Sequence, residues 1–154
     1  MKYRMIAVSL LALILFGAAL VSQASEDDIQ EHRSCVRCGM DRKAYGYSRM
    51  MIRYEDGAEV GVCSLHCAVA EMNAEKGRTV KSLLVADRNT RALIDAEKAF
   101  WVVGGKKRGV MTATPKWAFG TEEGARAFVR ADGGTIATWK EVLKATEEEL
   151  APAK

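Results

Sequence analysis

Cys35-Val-Arg-Cys38-Gly-Met40 and Cys63-Ser-Leu-His66-Cys67 decide how this chain is read. Four cysteines stand as C-x2-C and C-x3-C with 24 residues between the pairs. Between them, Tyr47–Tyr54 and Ala58–Val62 alternate loosely between apolar and polar residues, and Glu55-Asp56-Gly57 joins them. That pattern predicts a β-hairpin with a glycine-containing loop. Ser64 stands at a helix N-cap position, and Leu65, Ala68, Val69 and Met72 follow at helical spacing, with Gly77 as the stop. Knuckle, hairpin and helix in this order predict a treble-clef-like unit over about 35–77. The hairpin folds the chain back, so Cys35 and Cys38 can meet Cys63 and Cys67 at the helix start. Residues 63 and 67 are four apart, so both thiols can face one side of the first turn. A helix N-terminus also favours thiolate over thiol.

Three chemistries fit the cluster. Zinc fits four thiolates, or three with His66, in a closed tetrahedral site. Two disulfides fit an exported chain, since four cysteines allow three pairings. Copper(I) is soft and favours thiolate and thioether sulfur, so Met40 beside Cys38 would add a ligand that zinc does not use. Gly39 between them permits a bend that turns both sulfurs inward. Methionine is more often a core filler, and on residue pattern alone Met40, Met72 and Met111 all read that way. Met50 and Met51 are neighbours on a strand and face opposite ways, so only one is expected to be buried. His66 reads as a polar residue on the helix start or as an exchangeable ligand. His32 reads as solvated.

A second strand-helix unit is expected over about 79–150. Leu83–Ala86 and Phe100–Val103 are apolar runs, ended by Asp87-Arg-Asn89 and by Gly104-Gly105. Lys106–Pro115 carries no helical stripe and reads as strand or loop. Thr121 caps a helix with Ala125, Phe128 and Val129 inward and Glu122 and Glu123 in its first turn; Gly133-Gly134 ends it. Thr135–Thr138 reads as a strand, and Thr138-Trp-Lys-Glu141 is a capping box for a last helix to about Leu150. The fold class is therefore α+β, as two small units.

Upstream, Lys2 and Arg4 precede an uncharged apolar run, Met5–Val21, and Ser22-Gln-Ala24 offers a small-residue cut site. Residues 1–24 read as a secretory signal peptide, with an uncleaved anchor as the alternative. Ser25–Ser34 is polar and acidic and reads as a flexible lead-in to the domain over 35–150. Residues 1–24 carry two of the 23 basic residues and none of the 20 acidic ones, so removing them lowers the net charge from +3 to +1. That balance argues against nucleic acid as a partner. Membrane contact is expected only if the leader stays attached. There is no nucleotide loop and no base or acid beyond His66 and Asp41, so an enzyme is not expected.

Read in order, Cys35-Val-Arg-Cys38-Gly-Met40, Cys63-Ser-Leu-His66-Cys67, Asp87, Ile94-Asp-Ala96, Ala99-Phe-Trp-Val102, Met111, Ala118-Phe119, Ala125, Phe128 and Gly133-Gly134 resemble the NosL family of nitrous-oxide-reductase accessory proteins. The resemblance runs from about Cys35 to about Val142. The cysteine half alone also resembles treble clefs of heavy-metal trafficking proteins. The NosL resemblance implies an exported, periplasmic copper(I) chaperone serving the maturation machinery of nitrous oxide reductase. It implies the periplasmic subunit of an ABC-type transporter complex as docking partner. It implies Cys38, Met40 and Met111 as copper ligands, which moves Met111 from core to ligand. It leaves Cys35, Cys63, His66 and Cys67 as a second cluster or as structural residues, with the sulfurs of Cys63 and Cys67 a second metal site, a zinc staple or a disulfide. Family members are commonly anchored through a lipid-bearing cysteine behind the leader; no cysteine precedes Cys35 here.

Overall fold

The computed structural model describes residues 28–151. The expected signal peptide, residues 1–24, lies outside the described residues. A helical turn over 28–31 leads to the knuckle. The elements then run β1 (Met50–Tyr54), β2 (Glu59–Val62), α1 (Leu65–Ala74), β3 (Val80–Ala86), β4 (Leu93–Asp95), β5 (Phe100–Val103), β6 (Lys116–Phe119), α2 (Glu122–Asp132), β7 (Thr135–Ala137) and α3 (Trp139–Leu150). Two antiparallel sheets result, in the orders β2-β1-β3-β4 and β6-β5-β7. The α+β class is as the sequence predicts. Among the described residues no helix is long and apolar enough to cross a membrane.

Local chemistry accounts for the elements. The hairpin β1–β2 pairs Met50 with Val62 and Arg53 with Glu59, and Gly57 takes φ 86° in its loop. Thr121 caps α2 by accepting from the Gly124 N–H, and Thr138 and Glu141 form the reciprocal capping box of α3. Ser64 sits at the N-cap of α1 but makes no capping bond; its hydroxyl lies 3.8 Å from the Cys63 sulfur.

The division into units differs from the sequence reading. The chain changes sheet after Asp95, whereas the pattern placed the change near residue 78. β3, expected in the second unit, pairs along β1 from Met50–Val85 to Tyr54–Val80. An apolar run does not disclose its partner strand, because pairing is settled by the sheet it completes. The main core is also shared. Met50, Ile52, Leu65 and Val69 pack in one cluster with Trp101, Val110, Ala118 and Val142, and only Val102, Trp117, Phe119, Ala125 and Phe128 form a separate core under α2. Trp101 lies 5.7 Å from Trp139 of α3, and its indole N–H donates to the Ala96 carbonyl at 2.8 Å.

Both Met50 and Met51 are buried, at 0% and 1% exposure, where one was expected. β1 lies inside the sheet and is covered on both faces. Met51 pairs with Gly61 and Leu84, and Gly61 is backed by the Arg42 guanidinium and His32, where an added Cβ would stand 2.6 Å from each. Asp28 and His32 of the expected lead-in are thus tied into the fold. Asp28 binds Arg42 at 2.8 Å and Arg49 at 2.7 Å, both arginines buried, and Arg42 also donates to the carbonyls of Asp28, His32, Met50 and Val62. A buried guanidinium needs such a complete set of acceptors.

A second polar staple joins the sheets. Asp87, at the end of β3, accepts from the N–H groups of Asn89 at 2.7 Å, Thr90 at 2.8 Å and Gly120 beyond β6. Arg88 N–H donates to the Ala118 carbonyl at 2.8 Å. Burial alone would raise the Asp87 carboxyl, but the amides of Thr90, Gly120 and Asn89 outweigh it and hold the group below its usual value.

Two stability changes follow. Asp28→Ala strands two buried cations and is expected to cost about 3–5 kcal/mol in urea unfolding; a loss under about 1 kcal/mol would show that the pair is not buried in solution. Asp87→Asn is expected to cost about 1.5–3 kcal/mol at neutral pH. Because the folded carboxyl is depressed, its contribution is complete above about pH 4 and is lost as pH falls through the folded value. The gap between wild type and Asp87→Asn should therefore close in acid; a gap that widens would contradict the assignment.

Candidate metal centre

The knuckle is built by its backbone. Cys35 N–H donates to the Met40 carbonyl at 2.8 Å, Gly39 N–H donates to the Cys35 carbonyl at 2.9 Å, and Gly39 takes φ 75°. This is the glycine bend the sequence calls for, since a side chain there would be strained. Val36 N–H donates to the Gly61 carbonyl at 3.1 Å, which ties the knuckle to β2. The Ser48 hydroxyl donates to the Cys63 carbonyl at 2.9 Å and fixes the chain as it enters α1. Arg42 binds the carbonyl of Val62, the residue before Cys63. Each cysteine pair is therefore positioned by bonds that do not involve sulfur.

The result is a four-sulfur centre. The Sγ atoms of Cys35, Cys38, Cys63 and Cys67 all lie within 4.8 Å of one another. Cys38 is 3.5 Å from Cys63, and Cys63 is 3.6 Å from Cys67. No two of the four sulfurs are bonded to each other in this structure. Cys35, Cys63 and Cys67 are buried in the main core, and Cys38 alone is half-exposed. Hydrogen bonding with Cys67 favours the Cys63 thiolate and lowers its pKa, against the effect of burial. The same pairing with Cys63 raises Cys67, and burial pushes the Cys38 thiol up to about 11. Ionisation is thus favoured at Cys63 over Cys38 and Cys67. A soft or borderline metal ion would draw the remaining protons off.

The other candidates fall in three places. Met40 is half-buried and packs against the core that holds the thiols. His66 is not among the four grouped ligands. It faces a cavity of about 20 Å³ between the sheets, with Ser48, Ser64, Trp101, Val110 and Thr112, and its Nδ1 is buried without a partner. Met111 is not core: it is 42% exposed, with φ 57°, on the loop between β5 and β6. It lines an open groove with Lys106, Lys107 and Arg108.

That loop is held at its base. Lys116 Nζ pairs with Glu149 at 2.8 Å and donates to the Thr114 carbonyl, while the Thr112 hydroxyl lies 2.6 Å from Glu149 Oε2. Gly109 packs so closely on Thr112 and Pro115 that a Cβ would stand 2.6 and 3.0 Å away. The groove is therefore presented by a fixed loop. What the sequence did not disclose is the arginine scaffold, Arg42 and Arg49, under the site. No spacing rule marks a buried arginine, and its carbonyl acceptors come from distant segments.

Comparison with known proteins agrees with this architecture. The NosL family model matches residues 26–146. No curated protein sequence matches the chain. Among solved structures, the copper chaperone NosL from Shewanella denitrificans is similar at 21% identity with a TM-score of 0.58, covering 73% of this chain and 90% of that one. The family match spans both sheets, the four-sulfur centre and the Met111 loop, and this chain belongs to the NosL family.

Proposed function

We propose that this protein is an exported copper(I) metallochaperone that carries the ion to the maturation of nitrous oxide reductase or a similar periplasmic copper enzyme. The observation that carries the reading is a cluster of four sulfurs, one of them reaching solvent, in a chain of the NosL family. The similar structure is itself that of a copper chaperone. The role is binding and transfer, not catalysis of bond chemistry.

Cys38 is the sulfur that exchanges copper, because it is the half-exposed member of the cluster. It binds as thiolate, with the thioethers of Met40 and Met111 as the neutral ligands. Three sulfurs leave copper(I) open to attack by a partner's ligand, so the ion can pass without being released to solvent. Soft sulfur donors favour copper(I) over harder competitors. His66 is a reserve ligand at the helix start.

The partner is the periplasmic subunit of an ABC-type transporter complex or the reductase itself. Lys106, Lys107 and Arg108 are exposed beside Met111, and Lys107 pairs with Asp132 at 3.5 Å. Such a patch steers an acidic protein surface toward the cargo.

Copper(I) titration of the purified chain against a competing chelator should give about one tight site per chain, and Cys38→Ser or Met111→Leu should weaken it at least about tenfold. Parent-like affinity in both variants would remove these ligands from the site. Reversal of Lys106, Lys107 and Arg108 to glutamate should leave copper affinity unchanged and slow transfer to an acidic acceptor about tenfold or more at low salt. Unchanged transfer rates at every ionic strength would dismiss the patch.

A further inference from the structure

Arg88 and Arg91 stand on the turn between β3 and β4, and no hydrogen bond or ion pair joins either guanidinium to a described group. The turn that carries them is fixed. Arg88 N–H donates to the Ala118 carbonyl and Arg91 N–H to the Asp87 carbonyl, both at 2.8 Å. Arg49 Nη1 donates to the carbonyls of Arg91 and Gly46, each at 2.8 Å. Arg91 keeps φ 64° there, a left-handed backbone that is uncommon outside glycine and needs such support. The Arg88 guanidinium is seated on aromatic rings. Its Cζ lies 4.8 Å from the Tyr47 ring and 5.1 Å from the Trp117 ring, and those rings are 6.0 Å apart. They cover its inner side: Nε is buried without a partner, while the two Nη groups, also unbonded, reach solvent. Cation–π attraction holds the group in place but supplies no acceptor. Arg91 Nη1 borders the same segment, since a Cβ on Gly46 would stand 3.8 Å from it. Arg42, Arg49, Arg88 and Arg91 are joined through this turn to only two carboxylates, Asp28 and Asp87, and positive charge is in excess.

We propose that Arg88 and Arg91, backed by Tyr47 and Trp117, form a docking site for an acidic segment of a partner protein. Arg88 takes one carboxylate through both Nη groups, and Arg91 takes a neighbouring one. The site goes beyond copper carriage: it uses no sulfur ligand and none of Lys106, Lys107 and Arg108. A guanidinium with its inner side covered by rings is poorly hydrated, and its planar fork matches a carboxylate with two parallel hydrogen bonds. The occupant's charge follows from what docking would do. A neutral or basic segment laid over Arg88 would strip the remaining water from an unpaired cation, and a carboxylate removes that cost. Two cations on one fixed turn match two acidic side chains of one chain better than a single small anion. Arginine, tyrosine and tryptophan are also the residue types that dominate interface energies. Here they are held by the turn and by each other before any contact, so little side-chain freedom is left to lose.

The test titrates the full chain, labelled with nitrogen-15, with a blocked tetraglutamate peptide and separately with inorganic phosphate, at about 0.1 M salt to screen diffuse attraction. The reporters are the Arg88 Nε–H and Trp117 indole N–H resonances, both buried in the free protein. The peptide should shift both signals saturably, and phosphate should bind more weakly. Arg88→Met, checked for folding by circular dichroism and followed at the Trp117 indole, should weaken the peptide about tenfold or more. Arg88→Lys keeps the charge but loses the fork and should also bind more weakly than the parent. Glutamate at positions 106, 107 and 108 should leave the peptide-induced shifts in place. If Arg88→Met does not fold, Arg91→Met, on the exposed side, supplies the same comparison. Absent shifts at both reporters overturn the site. Phosphate bound as tightly as the peptide assigns the arginines to free anions and overturns the partner. Parent-like binding by Arg88→Lys reduces the site to undirected charge, and shifts lost in the 106–108 variant place the peptide in the Met111 groove; either overturns the proposal. No arm involves copper, so each of these failures leaves the copper-carrying role where it stood.

Discussion

The structure depends on holding two cysteine pairs from separate segments against each other inside an apolar core. Thiols do not attract one another enough to do this, and thiolates repel. The backbone does it instead. The knuckle closes on itself between Cys35 and Met40, hangs on β2 through Val36, and is underlain by Arg42, which binds carbonyls on both sides of the hairpin. Asp28 neutralises that arginine and ties the residues before the knuckle to the same framework. The convergence of the four sulfurs is thus set by backbone and arginine hydrogen bonds as well as by any ion they hold.

The second sheet positions a loop and closes the core around the first. Trp101, Val110 and Ala118 belong to the cluster that contains Cys35, Cys63 and Cys67, while α3 packs Val142 and Trp139 into it. Asp87 fixes the junction of the sheets through Gly120. The loop bearing Met111 is anchored by Lys116 and Glu149, so an exposed sulfur and three cations are displayed at a defined place on the surface. In the proposed role, encounter with a partner depends on this surface geometry and charge.

Much of this was legible in the residues. Cysteine spacing, the Glu55-Asp-Gly57 loop and the helical stripe after Ser64 foretold the knuckle, hairpin and helix, since each rests on short-range chemistry. So did the caps at Thr121 and Thr138. What failed was long-range. The partner of Leu83–Ala86 could not be read from its own pattern, nor could the cover over Met51. Asp28 looked like one more acid in a polar lead-in, because its meaning comes from Arg42 and Arg49. Met111 illustrates the opposite case: pattern alone made it a core residue, resemblance made it a ligand, and its exposure at φ 57° removes the core reading.

The most direct test of the account is copper-edge X-ray absorption on the copper-loaded chain. The account predicts a monovalent ion with a shell of about three sulfur neighbours, and loss of one of them in Cys38→Ser. A divalent ion, or a shell of nitrogen and oxygen with no sulfur, would contradict it.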